Sequence, residues 1–579
     1  MPPHALMCKM PLISGLMAAL TVLPVPASAA GRRPAPEVTI MIAPAAPDAA
    51  HHIPYVDITL VAHDMHREPG EPLFRLALIA NTVVTSAADI RDLVVTDAKG
   101  VLVTATRDVV DDGSNRTRLW QAGRAVAGRV AVRYRVPIDA AAPPLALPQY
   151  EMRTENDGFS AAGTAFVLQP ADGKARRVRV RWNFAGYGAG ATGVSSFGVG
   201  DATSVEALTP ERLSAVYYMA GRPGVFRSRE DGFFAAWQGT PPFAMAPLMQ
   251  WAGTLRRYYS HFFGEAPASF GVFGRTNVRN PGSGIGLTDS FAFTFNHQSR
   301  ADDLRSLLAH EMLHSWVRSL DESMDAAGGL DRSWFGEGLA VHYQRMLPYR
   351  AGLIPADAFL DDLNSTAGRY YTNIKINLPN AAIPDGFWKD TRVRVLPYDR
   401  GSLYFASVDA AVRKASGGKR SLDDLVRAML AARRAGQPMD EALWRRLLHA
   451  ELGAQGIAAF EAMLAGSTIV PPDDAFGPEF RRTTRMLRRF DLGFDPASLL
   501  ARPRIVRGLV PGSEAARAGL RDGDEIRNSF SQDGLQGDQQ AFLTLEIKRG
   551  DAPLSIRYQP RGEAAPAYQW ERVPGGGQH

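Results

Sequence analysis

The hydrophobic pattern of this chain changes period once and then changes back, and that alone divides it. From about residue 30 to residue 238 apolar and polar residues alternate, as in Val56-Asp57-Ile58-Thr59-Leu60-Val61 and Arg129-Val130-Ala131-Val132-Arg133-Tyr134. Arg177-Val178-Arg179-Val180-Arg181-Trp182 alternates as cleanly. A period of two puts one face of each segment in a core and the other in water, which predicts half-buried strands in a sandwich-like domain. The arginines then form the wet face of a strand and not a binding patch. Turn signals at Arg222-Pro223-Gly224 and Glu230-Asp231-Gly232 separate further strands. After Thr240-Pro241-Pro242 the period lengthens. Met245–Phe263 has helical spacing, while Ser269–Phe273 and Ile285–Phe295 look extended. An amphipathic helix follows, starting at Asp302 or Asp303, either of which can cap it. Further helices run to about Ala465. Pro471-Pro472-Asp473-Asp474 marks a linker, after which strands and turns return.

The domain plan is therefore a leader at 1–29, a β-rich domain at 30–238 and a mostly helical domain at 239–470. A linker at 471–485, a strand-rich module at 486–562 and a Gly-rich flexible tail at 563–579 complete it. With 579 residues the chain can build several cores. The formal charge is +5, with no long Lys/Arg block, so a nucleic-acid partner is not expected. The densest basic stretch, Arg481–Arg489, reads as a solvated linker or helix face.

Lys9, the apolar run Pro11–Leu23 and the small residues Ala27-Ser28-Ala29 form an export signal cleaved after Ala29. That run is too short to span a bilayer and no other stretch is long enough, so stable membrane insertion after cleavage is not expected. The expected location is a periplasm or the external medium. Cys8 is the only cysteine, and it lies in the leader. The mature chain thus has no disulfide, and no thiolate to serve as metal ligand or nucleophile.

His310-Glu311-Met312-Leu313-His314 carries the chemistry. Four residues advance a helix by about 400°, so both imidazoles share one face and can give a nitrogen each to one zinc ion. Glu311 points partly to the same face and can take a proton from an attacking water. Leu304, Leu307, Leu308, Met312 and Trp316 can seat this helix in a core. The sequence after His314 lacks the Gly and third His of the metzincin pattern. Asp321, Asp325 and Asp331 are possible oxygen ligands. Glu337 is the better candidate, because it opens a second predicted helix that can lie beside the first. His, His and Glu would leave a fourth position for water, as a catalytic zinc requires.

In order along the chain, His310–His314, Trp334-Phe335-Gly336-Glu337-Gly338 and Tyr398-Asp399-Arg400-Gly401 resemble the gluzincin metallopeptidases. The narrower resemblance is to the glycyl aminopeptidase family with a C-terminal PDZ domain; aminopeptidase N and leukotriene A4 hydrolase are more distant relatives. The resemblance implies a multidomain α+β fold, with a β-sandwich-like N-terminal domain, a thermolysin-like and mostly α-helical zinc domain, and a PDZ-like module. It implies one zinc ion on His310, His314 and Glu337, Glu311 as general base and Tyr398 stabilising the oxyanion. The implied substrates are peptides with small N-terminal residues such as Gly or Ala. On the strand before the zinc helix the family carries a Gly-Gly-Leu-Glu-His-like stretch that borders the substrate cleft. Its counterpart here is Gly284-Ile285-Gly286-Leu287-Thr288-Asp289-Ser290, with Thr-Asp in place of Glu-His. Gly286, Thr288 and Asp289 are thus substrate-binding candidates, and Asp289 would hold a free amine with a shorter reach.

Gly508–Ile526 resembles the strand, helix, turn and strand core of PDZ domains in bacterial proteases. Ala515, Ala516 and Ala518 favour a short helix that Gly519 can end. PDZ domains bind extended peptides by strand addition, so a peptide C-terminus or extended segment is a second partner, with Leu492-Gly493-Phe494 as the loop that receives its carboxylate. Two alternatives stand beside the aminopeptidase: a zinc endopeptidase of the same fold, and a non-catalytic peptide-binding scaffold with a structural zinc. A scaffold needs neither Glu311 nor Tyr398.

Overall fold

A computed structural model of the chain describes residues 34–80, 83–110, 115–142, 150–229, 231–320 and 329–573. The leader with Cys8, and the candidates Asp321 and Asp325, lie outside the described residues. The period-two segments are strands. Tyr55–Arg67 runs between Glu37–Pro44 and Val126–Pro137 in a seven-stranded sheet and buries Val56, Ile58, Leu60 and Ala62 completely. Arg176–Trp182 buries Val178 and Val180, while Arg179 and Arg181 pair with Glu37 and Asp201 on its wet face. A second sheet, containing Pro72–Ala80 and Arg116–Ala122, shares the same core through Phe74, Leu76 and Trp120.

The boundary expected at 238 falls inside a third sheet. Gly224–Arg227 and Phe233–Trp237 are continuous with Phe270–Thr276, Ser290–Phe295 and the edge strand Gly284–Leu287. The middle three strands are parallel and the edge strand is antiparallel. Phe233-Phe234-Ala235-Ala236 is apolar on both faces, and such a strand needs cover on both sides. Phe233 and Ala235 enter the large helical core, while Phe234 and Ala236 enter a separate cluster with Tyr217 and Met219.

One face of this sheet shares a single hydrophobic core with Met245–Phe263, the histidine helix Ala301–Leu313, the glutamate helix Ser333–Arg350, Ala356–Tyr371 and the tyrosine helix Leu396–Ala415. Arg300, and not an aspartate, occupies the N-cap position of the histidine helix, and its side chain makes no capping hydrogen bond. Asp302 and Asp303 occupy its first turn, where carboxylates favour the helix dipole. No helix among the described residues is long and apolar enough to cross a membrane.

The C-terminal part departs from the sequence expectation in two places. Arg481–Arg489 is neither linker nor helix but lies in the strand Phe480–Phe490, which pairs antiparallel with Arg561–Arg572. Four of its five arginines meet carboxylates at the surface, Arg481 and Arg485 at Glu571, Arg488 at Glu514 and Arg489 at Glu563, while Arg482 donates to the Pro471 carbonyl. The described part of the expected flexible tail, 563–573, is mostly this second strand. Ala567 and Trp570 are buried in the helical core, and Asn364 both donates to and accepts from the Trp570 backbone. A small three-stranded sheet, Glu525–Ile526, Leu543–Arg549 and Ala552–Tyr558, has its own core with Leu492, Phe494 and Val506.

Candidate active site

Three buried segments bring the chemical groups together. The histidine helix is fixed by Leu304, Leu308 and Met312, all at most 1% exposed, with Leu307 half-buried. Trp316, just beyond it, donates from its indole to the Glu265 carbonyl and stacks on Phe263. His310 lies in the last helical turn and His314 is the C-cap residue. Glu337 is the fifth residue of the glutamate helix, past its first turn, so it is not a capping carboxylate.

His310 Nε2 lies 3.2 Å from Glu337 Oε2 and 3.3 Å from His314 Nε2, and the third edge, His314 Nε2 to Glu337 Oε2, is 3.6 Å. A tetrahedral zinc ion with ligands at about 2.0–2.1 Å separates neighbouring ligand atoms by about 3.3 Å. The ring protons point outward: His310 Nδ1 faces Gln344 Oε1 at 2.9 Å and His314 Nδ1 faces the Val317 carbonyl at 3.2 Å. Both Nε2 lone pairs therefore converge with a carboxylate oxygen, an arrangement that a cation satisfies. The residues present fit a zinc ion, and this trio is the group among the described residues that can hold a metal. Asp331 lies apart from it, close to Arg332.

Gln344 is oriented from behind. Its amide donates to Asp362 Oδ2 at 2.8 Å and to Ser306 Oγ at 3.0 Å, and Asp362 is held by the buried Arg345. This turns the Gln344 oxygen toward His310. Sequence reasoning missed Gln344, Ser306 and Asp362. Seven residues past Glu337, Gln344 is two helical turns on and shares its face, which was the available signal.

Glu311 lies across from the edge strand, where a Cβ added at Gly286 would be 3.9 Å from Glu311 Oε2. Burial raises the Glu311 carboxyl above its ordinary value, against the pull of the two imidazoles. Burial alone would also raise Glu337, but His314 and His310 overcome it and hold that carboxyl well below the usual range. The Tyr398 ring is nearly parallel to His310, with centroids 6.2 Å apart. Burial, with the charges of Glu337 and Glu311, keeps its hydroxyl protonated.

The tyrosine helix approaches this closely because two glycines face each other. A Cβ at Gly338 would be 2.6 Å from Gly401 Cα, and one at Gly401 would overlap the Trp334 carbonyl oxygen. Arg400 secures the same helix from below, donating to Asn380 and to the carbonyls of Ile376 and Leu378. Gly401→Ala is expected to lower stability by about 1–3 kcal/mol, the usual cost of overpacking. Thermal unfolding checks this against Gly186→Ala, where nothing lies within 4 Å of the added carbon.

Of the three substrate-binding candidates, Gly286 is brought to the site. Thr288 and Asp289 are engaged elsewhere, on the short helix Pro210–Ser214. The Thr288 hydroxyl donates to the Arg212 carbonyl at 2.6 Å, and Arg212 Nη2 donates to Asp289 Oδ1 at 3.0 Å. Asp289 sits in the hairpin turn with φ +48° and its charge is met by a guanidinium. The carboxylate expected to hold an amine is thus already paired.

A family model described as M61 glycyl aminopeptidase matches residues 303–378. In structure the chain is similar to an aminopeptidase N family protein from Idiomarina loihiensis, at 14% identity over 92% of this chain and 98% of that one, with a TM-score of 0.64. It is also similar to an M1 zinc metallopeptidase from Deinococcus radiodurans, at 16% identity over 76% of this chain and 95% of that one, with a TM-score of 0.43. Native yeast LTA4 hydrolase matches at 11% identity over 74% of this chain and 67% of that one, also with a TM-score of 0.43. No curated protein matches the chain by sequence. The family-matched segment contains both histidines, Glu311 and Glu337, and the multidomain fold is similar to that of the Idiomarina protein: the chain is a gluzincin-like metallopeptidase whose segment 303–378 matches the M61 glycyl aminopeptidase model.

Proposed function

We propose that the chain is an exported zinc aminopeptidase that removes small N-terminal residues such as Gly or Ala from peptides. The observation that carries the zinc centre is the triangle of His310, His314 and Glu337, with both ring protons directed outward and Glu311 beside it. When bound, zinc supplies Lewis-acid polarisation of the scissile carbonyl and acidifies water. Glu311 takes the proton of the attacking water and delivers it to the leaving nitrogen. The Tyr398 hydroxyl donates to the oxyanion of the tetrahedral intermediate. Gly286, having no side chain, lets a substrate backbone approach Glu311 along the edge strand. The preference for a small first residue rests on the description of the matching family. In this reading the helical body is thermolysin-like and the C-terminal module PDZ-like. Export rests on the residue pattern of 1–29, and places the enzyme in a periplasm or the medium.

One observation favours the endopeptidase reading: Arg212 already holds Asp289, the carboxylate assigned to the free amine. Paired fluorogenic peptides, identical but for N-terminal acetylation, separate the two with and without a chelator. The aminopeptidase reading expects cleavage of the free amine alone, abolished by chelation. Equal cleavage of both peptides transfers the assignment to an endopeptidase, and no cleavage by zinc-loaded protein leaves the scaffold.

A further inference from the structure

The C-terminal module keeps little of what a peptide-receiving groove needs. The Gly493 N–H, which a ligand carboxylate would seek, donates to Asp491 Oδ1 at 2.8 Å. Pro496–Leu499, after Leu492-Gly493-Phe494, is a 3-10 turn and not a strand edge open to addition. The cavity beside Leu492, Phe494 and Gln532 is closed on its other side by Thr391 and Arg392 of the catalytic body.

The helix of this module that would flank such a groove, Gln532–Gly537, is docked instead on the short helix Thr391–Arg394. Arg394 Nη2 donates to Asp533 Oδ1 at 2.8 Å, and the Thr391 hydroxyl donates to the same oxygen. Gln536 donates from Nε2 to Thr391 Oγ1 at 2.7 Å. Thr391 and Gln536 are 5% and 2% exposed, so their hydrogen bond is withdrawn from water, while the Arg394 and Asp533 side chains, 30% and 40% exposed, form its rim. Val395 is at once the C-cap of Thr391–Arg394 and the N-cap of the tyrosine helix, so the two helices join with no intervening loop. Tyr398 follows three residues later.

We propose that the C-terminal module is an internal brace for the active site, and that Asp533 is a positioning residue acting through Thr391 and Arg394 on Tyr398. The segment Asp390–Arg394 takes the place of an external peptide on this side of the module. The inference rests on the reading of Tyr398 as the oxyanion donor. The test is a cycle of full-length Asp533→Ala, Tyr398→Phe and the double variant, with kcat, KM, zinc content and thermal midpoint measured for each. Asp533→Ala is expected to lower kcat about tenfold at nearly constant KM and zinc content, the size of coupling seen between residues of one network. Asp533→Asn, which keeps an acceptor for Thr391 but loses the charge, should recover part of that. In the Tyr398→Phe background Asp533→Ala should cost nothing further. An equal kcat loss in that background overturns the brace, as does an unchanged kcat in the single variant. If Tyr398→Phe itself is fully active, the oxyanion reading falls and takes this inference with it. Should Asp533→Ala fail to fold, Thr391→Val removes the same contact from the opposite side, with the same expected and overturning results.

Discussion

Glu337→Gln is expected to lose its metal and, with it, peptide hydrolysis. The substitution keeps the size of a residue that is only 8% exposed, so packing of the glutamate helix is preserved. What it removes is the carboxylate of a group whose other two members are imidazoles, with their outward Nδ1 atoms facing Gln344 Oε1 and the Val317 carbonyl. A neutral amide oxygen is a much weaker zinc ligand than a carboxylate. Loss of an outer-shell partner alone typically costs about 10–100-fold in metal affinity, so loss of this ligand should exceed about a hundredfold. Competition with a coloured chelator gives the number directly. An unchanged zinc affinity would place the third ligand elsewhere.

Glu311→Gln should behave differently: the metal stays and turnover goes. Glu311 is not among the three atoms that face each other, and glutamine has its shape and reach. The amide cannot accept the proton of an attacking water, and general-base catalysis by a positioned side chain typically contributes about two to four orders of magnitude. A side chain at Gly286 would come within 3.9 Å of Glu311 Oε2, so the glycine keeps that side of the carboxylate open. The loss should therefore appear in kcat while KM moves little, the signature of an interaction made only in the transition state.

The three metal-ligand candidates were legible in the sequence for different reasons. The four-residue spacing of His310 and His314 fixes their common face whatever the surroundings, because helix geometry is local. Glu337 follows from the demand for a third ligand on a neighbouring helix, although it stands in the second turn and not at the start. Tyr398 has no local signature, and the family resemblance alone singled it out. What brings it in is the mutual contact of Gly338 and Gly401, which belongs to the crossing of two helices and to neither sequence separately. The pairing of Asp289 with Arg212 spans 77 residues, and that of Thr391 with Asp533 spans 142, so neither could be read from spacing. The misplaced boundary at 238 did have a signal. Phe233-Phe234-Ala235-Ala236 is apolar without alternation, the mark of a strand covered on both faces. In the last strand the alternation of Tyr568 and Trp570 with polar neighbours was overlooked beside the glycines that follow.

This mechanism separates metal binding from proton transfer within one centre, and a single Glu311→Gln preparation can measure both. Elemental analysis and peptide turnover on that sample should give about one zinc ion per chain, as in the parent protein, with kcat lower by at least about two orders of magnitude. A zinc-replete Glu311→Gln protein that hydrolyses peptides at the parent rate would contradict it.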